Sequence, residues 1–209
     1  MSNPAKVVIM GHSYVYWLQH FIENSAGAFP AVTADWTLSQ HGFSAPVFFG
    51  VRGGTVAKIN SGGILTQVKT SNPALVVIQL GGNDLDDISS QPARIGMDIF
   101  DMARSLSFQT NAIVCICQVV RRQSWRNFST SEGNRRVDLT NEFLRAVCDG
   151  CPRVMFWKHK GLWNTRINQF RADGVHLNNL GNFRFYRSLR GAIVYAANTR
   201  LSLLNSDRQ

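Results

Sequence analysis

The sequence predicts a three-layer α/β/α fold around a five-stranded, mainly parallel β-sheet. Three observations predict it. Short apolar runs alternate with stretches of helical periodicity; the run at 74–80 is apolar almost throughout, as a strand covered on both faces requires; and glycines follow the runs where tight turns are needed. Such strands are joined by right-handed crossovers, and sites in these folds lie at the carboxyl ends of the strands. At 209 residues, with 44% apolar and 17% charged, the chain suits one domain spanning 1–209.

Residues 6–10 are the first strand candidate. After Ser13, Val15, Leu18, Phe21 and Ile22 recur at helical spacing, giving strand, tight turn, helix. Residues 25–46, rich in Gly, Pro, Ser and Thr, read as an irregular or β-containing excursion. Residues 46–51 resemble a second strand, broken by Arg52-Gly53-Gly54. The third, 74–80, is bounded by Asn72-Pro73 and Gly81-Gly82. Residues 91–107 place Ile95, Ile99, Met102, Ala103 and Leu106 on one face and predict an amphipathic helix. A fourth strand is expected in 112–120, a helix in 134–147, a fifth strand in 153–157 and a closing helix over about 178–198.

Lys plus Arg number 22 against 13 Asp plus Glu, a net charge of +9 that favours an anionic neighbour: nucleic acid, an acidic membrane surface or an acidic substrate. The charge clusters at Arg121, Arg122 and Arg126, at Arg135 and Arg136, at Arg166 and Arg171, and at Arg184, Arg187 and Arg190. Solvated surface is the plainer explanation. Aromatic residues beside the clusters also suit non-specific binding of single-stranded nucleic acid or a lipid interface. No apolar run approaches the roughly 20 residues of a membrane span, and the N-terminal run is too short for a signal-peptide core, so an intracellular, cytoplasmic location is expected. Cys148 and Cys151 have CxxC spacing without a second close pair, and Cys115 and Cys117 share one face of a strand. These read as free thiols, and no metal or cofactor is expected.

Chemistry-bearing residues follow the strands: Gly11-His12-Ser13, Gly50, Gly81-Gly82-Asn83-Asp84 and, late in the chain, Asp173-Gly174-Val175-His176. A serine nucleophile needs a base, the base an orienting acid, and the oxyanion fixed donors; all are present in type. Each has a plainer reading. Ser13 suits a helix N-cap, the glycines suit turns, and Asp173 with His176 suits a helix start. Ser13 is not in a GxSxG elbow.

In order and spacing these blocks resemble the SGNH, or GDSL, hydrolases. Residues 7–13 are similar to the family's first block, Gly50-Val-Arg-Gly-Gly-Thr55 to its second, Gly81-Gly-Asn-Asp84 to its third and Asp173-Gly-Val-His176 to its last. The resemblance implies an SGNH hydrolase-like, flavodoxin-like sheet and a serine esterase of short acyl (acetyl-type) esters. It implies Ser13 as nucleophile, His176 as base, Asp173 as orienting acid, and an oxyanion hole of Ser13 N–H, Gly50 N–H and the Asn83 side chain. His12 stands where the family usually has Asp, in a role taken as supporting the turn. Phe49 stands where an Asn often precedes the glycine. More loosely, the basic charge and Gly-His-Ser resemble the esterase domain in the first open-reading-frame protein of some animal LINE-type retrotransposons. A catalytically weak binding module on the same fold is the competing class. Tyr14, Phe43, Trp125 and Leu177 are the expected pocket walls.

Overall fold

The computed structural model describes residues 4–24 and 28–206, with side chains described as far as Thr199. Five strands form one sheet: β1 (Val7–Gly11), β2 (Val47–Gly50), β3 (Leu75–Gln79), β4 (Ile113–Cys117) and β5 (Val154–Trp157). Their order is β2-β1-β3-β4-β5, and every ladder is parallel.

Alternate residues of each strand enter different cores. Val7 and Ile9 face helices α1 (Ser13–Asn24) and α6 (Asn179–Ser206). Val8 and Met10 face α2 (Val56–Ser61), α3 (Ile64–Thr70), α4 (Pro92–Thr110) and α5 (Thr130–Cys148). Two-sided burial is why β1, β3 and β4 read as unbroken apolar runs.

Local signals set the helix boundaries. Pro92 occupies the first turn of α4, where its missing N–H costs nothing, and Asn111 ends the helix in the left-handed region. α5 starts earlier than its apolar periodicity indicates, because Ser129 Oγ accepts from Glu132 N in a Ser-x-x-Glu capping arrangement. The short helices α2 and α3 were not expected: each carries few apolar positions, and Gly62-Gly63 separates them.

Of the 25–46 excursion, residues 28–46 are turns with one 3-10 segment (Ser39–His41) and an Ala5–Phe43 bridge; 25–27 lie outside the described residues. The excursion is anchored by fully buried Trp36, whose ring packs 4.5 Å from that of Tyr186 and whose carbonyl accepts from Arg190 Nε. No helix among the described residues is long and apolar enough to cross a membrane.

Candidate active site

The site is built where β1 and β3 end. Gly11 lets the chain pass so close to β3 that a Cβ there would lie 2.1 Å from Gln79 O. His12 N then donates to that same oxygen at 3.1 Å, and α1 begins at Ser13. His12 Nδ1 accepts from Tyr14 N at 3.2 Å, so this histidine does the helix-capping work for which Asp is the commoner choice. Burial, then the charges of Arg122 and His176, push its pKa well below the ordinary value, which keeps the ring neutral with a lone pair for that bond.

The partner residues come from the turn before α6. Asp173 Oδ1 accepts from the N–H groups of Val175 and His176, both at 2.8 Å, while Oδ2 bonds His176 Nδ1 at 2.7 Å. His176 Nε2 lies 3.1 Å from Ser13 Oγ. Partial burial pushes the Asp173 pKa up, but the hydrogen bonds from His176 and Val175 outweigh it and the net shift is downward, so the carboxylate is ionised. Gly174 makes the turn possible: its φ is +66°, and its carbonyl accepts from Gln123 N and Ser124 N at 2.9 and 3.2 Å. Tyr14 OH donates to Val175 O at 2.7 Å, tying the turn to the helix that carries Ser13.

Asn83 lies in the turn that follows β3. Its Oδ1 accepts from Arg122 Nη2 at 3.0 Å and its Nδ2 donates to Gly54 O at 2.9 Å, leaving one Nδ2 hydrogen uncommitted. Arg122 is a residue that sequence reasoning missed here. Its sequence neighbours Arg121 and Arg126 suggest a solvated surface cluster, yet Arg122 is 2% exposed. Asp84 does structural work: its Oδ1 accepts from Val56 N at the start of α2.

The structure places Gly50 differently from the expectation. Val51 N donates to Gly11 O, so in the Gly11–Gly50 register the Gly50 N–H turns away from β1, toward the free edge of the sheet. Its glycine character serves packing, since a Cβ would lie 2.3 Å from Tyr16 N. Gly53 is better suited to donate. Its turn neighbours the site through Gly54, where a Cβ would be 3.3 Å from His12 Cα, and the Gly53 N–H has no acceptor among the described residues.

Other expectations are corrected likewise. Tyr14, Phe43, Trp125 and Leu177 are buried core residues rather than pocket walls, whereas Trp17, half-buried, stands beside His176. Much of the arginine charge is engaged inside the fold. Arg136, buried, bonds the Leu85 and Ser90 carbonyls; Arg121 pairs with Asp138 and stacks on Trp163; Arg184 and Arg190 bond Gln169 and the Trp36 carbonyl. The cysteines, by contrast, are free thiols as expected, and burial pushes Cys148 up to about 12.

A parallel α/β sheet that brings a serine, a histidine and an aspartate together at its carboxyl edge defines a hydrolase-like class of protein. Residues 9–183 match the model of the GDSL-like lipase/acylhydrolase family, to which the chain belongs. No curated protein matches in sequence. Among solved structures, the chain is similar to an acetyl esterase mutant with an acetate ion (16% identity, 93% of this chain and 98% of that one, TM-score 0.67). It is similar to a carbohydrate esterase family 3 protein from Talaromyces cellulolyticus (16%, 93% and 98%, TM-score 0.66). A lipase/acylhydrolase from Enterococcus faecalis also shares the fold (14%, 90% and 95%, TM-score 0.60).

Proposed function

We infer that the protein is a serine esterase of short-chain, acetyl-type acyl esters. The observation that carries this reading is the continuous hydrogen-bond chain from Asp173 through His176 to Ser13 Oγ, with bonds of 2.7 and 3.1 Å. His176 Nε2 takes the hydroxyl proton as Oγ attacks the ester carbonyl, and Asp173 holds the imidazole in the tautomer that has a lone pair at Nε2. The tetrahedral oxyanion is met by the Ser13 N–H and by the free Nδ2–H of Asn83. The Gly53 N–H is the third donor in place of Gly50. Each is worth about 3 kcal/mol in the transition state. Collapse expels the alcohol, which receives the proton from His176; water then releases the acid by the same steps in reverse order.

The acetyl esterase and carbohydrate esterase neighbours favour a small acyl group. The looser likeness to the retrotransposon esterase domain rests on Gly-His-Ser and on basic charge. The capping bond of His12 gives the first a local physical reason, and the engaged arginines weaken the second as a nucleic-acid or membrane surface.

The test is release of p-nitrophenol from its acetate by wild type and Ser13→Ala, with fluorophosphonate labelling of Ser13. Hydrolysis and labelling that both vanish in the variant are expected. Wild-type protein that neither turns over nor labels would instead be a binding module on a hydrolase fold.

A further inference from the structure

The rim beside His176 carries a cationic aromatic shelf that the acyl-transfer steps do not use. Trp17 follows Ser13 by four residues, so both stand on one face of α1. Its indole is edge-on to the His176 ring, with centroids 6.4 Å apart. Two arginines from different segments converge on it. Arg171, two residues before Asp173, holds its guanidinium carbon 4.3 Å from the ring centroid. Its Nε is tied to Leu177 O at 3.1 Å, while its terminal nitrogens have no acceptor among the described residues. Arg52, in the turn after β2, lies 5.9 Å from the rings of both Tyr16 and Trp17.

Both arginines are exposed, and among the described residues neither has a carboxylate within ion-pairing distance. Asp173, the nearby acid in sequence, is committed to His176. This sets the pair apart from Arg121, Arg136 and Arg184, whose terminal guanidinium nitrogens have acceptors within the fold. Guanidinium groups over an indole keep their edge N–H donors available for oxyanions.

We propose that Trp17, Arg52 and Arg171 form a subsite for an anionic group on the alcohol part of the substrate, which is therefore an acyl ester of a phosphate- or carboxylate-bearing alcohol. This rests on the esterase reading. His176 protonates the leaving oxygen, so the alcohol departs past the imidazole, and Trp17 is the aromatic neighbour of that imidazole. The bond changes are those already described: the acyl carbon–oxygen bond breaks, water supplies the acid oxygen, and the alcohol leaves with its anion intact.

The test compares kcat/KM for phenyl acetate, para-acetoxybenzoate and para-acetoxyphenyl phosphate at low ionic strength. Three proteins are used: wild type, Arg52→Gln/Arg171→Gln, and Arg94→Gln/Arg104→Gln, which removes the same formal charge from the exposed face of α4. The ratio of anionic to neutral ester, compared between proteins, cancels leaving-group reactivity. It should fall about tenfold in the first double variant, as two exposed ion pairs at low ionic strength allow, and hold in the second. The wild-type ratio should shrink in about 0.5 M salt. The two anionic esters show which anion is preferred.

An unchanged ratio in the first variant, or an equal fall in both, overturns the subsite. Calorimetric titration of phenyl phosphate into Ser13→Ala, with and without the two arginines, separates this proposal from the esterase reading. Hydrolysis of neutral esters without phenyl phosphate binding sinks the subsite alone. Binding lost with the arginines, in a protein that turns over no ester, supports the anion subsite and sinks the esterase reading.

Discussion

Arg122 Nη2 donates to Asn83 Oδ1 at 3.0 Å, from a guanidinium that is 2% exposed and has no carboxylate within ion-pairing distance among the described residues. Removing a cation from water costs several kcal/mol unless something compensates. Partial compensation comes from the face of Trp125, 5.1 Å away, and from the Asn83 oxygen. The fit is close: a Cβ on Gly82 would lie 2.5 Å from Nη2. Two consequences follow for the site. The Asn83 amide is locked with its nitrogen toward Gly54, and in the proposed esterase mechanism the Arg122 charge stands behind one of the oxyanion donors.

Arg122→Met, which keeps the apolar stem and removes the charge, should therefore lower kcat by about 10²-fold, the loss seen when one oxyanion donor is removed. KM should move little, because the charge acts on the transition state more than on the bound ester. Arg122→Lys should recover part of kcat. Steady-state kinetics beside thermal unfolding checks this. A variant that loses stability but keeps kcat would make Arg122 a packing residue.

Gly50→Ala discriminates between packing and donation at that position, since alanine retains the backbone N–H. The new methyl would overlap Tyr16 N, so the variant should lose about 1–3 kcal/mol of stability. Denaturant unfolding would show it. Unchanged stability would mean that β2 and α1 are farther apart than the structure has them.

These residues show what the sequence could carry. The strands were legible because two-sided burial leaves a run of apolar residues, and the Asp173–His176–Ser13 hydrogen-bond chain was legible because each member lies in a short block whose spacing is itself the signal. The role of Arg122 was not. Its partners are Asn83, 39 residues away, and the Trp125 ring, so nothing in the local charge pattern separates it from a solvated arginine. Arg136 was hidden for the same reason, because its acceptors are main-chain carbonyls at Leu85 and Ser90 that leave no trace in side-chain identity. Gly50 was assigned from motif register alone, whereas strand pairing decides where an N–H points.

Tyr14→Phe removes the bond to Val175 O while preserving the buried ring. The Asp173–His176 turn would then be held to α1 by one hydrogen bond fewer, with His176 less well aligned on Ser13. We expect kcat to fall by about tenfold, a loss of roughly 1.4 kcal/mol, within the range for one buried hydrogen bond. Equal kcat in the two proteins would show that the turn is held by its own backbone bonds to Gln123 and Ser124.

Acid should destabilise the protein well before its carboxylates titrate. His12 and His159 are both buried and neutral. The first is held well below its ordinary pKa of 6.5 by burial, with Arg122 and His176 adding to it, and the second is lowered by burial to about 3. His159 is held in place through Gln79 Oε1 at 2.7 Å and Ser188 Oγ at 2.9 Å from its ring nitrogens, and it is burial that disfavours its charged form. Both folded pKa values are depressed bases, so below 6.5 the unfolded chain binds protons that the native state refuses. Stability is then complete above about pH 7 and falls as pH drops below 6.5, by about 1.4 kcal/mol per pH unit for each histidine that stays neutral in the native state. Asp84, whose pKa is raised by burial, acts with the opposite sign as pH falls toward the carboxylate range, so the comparison must be made between variants in which it is unchanged. His12→Asn keeps a capping side chain and removes one of the two titrating groups. The slope of unfolding free energy between about pH 6 and 5 should drop by close to half. Parallel slopes in the two proteins would mean that His12 is protonated in the native state, and with that its capping bond to Tyr14 N would fall.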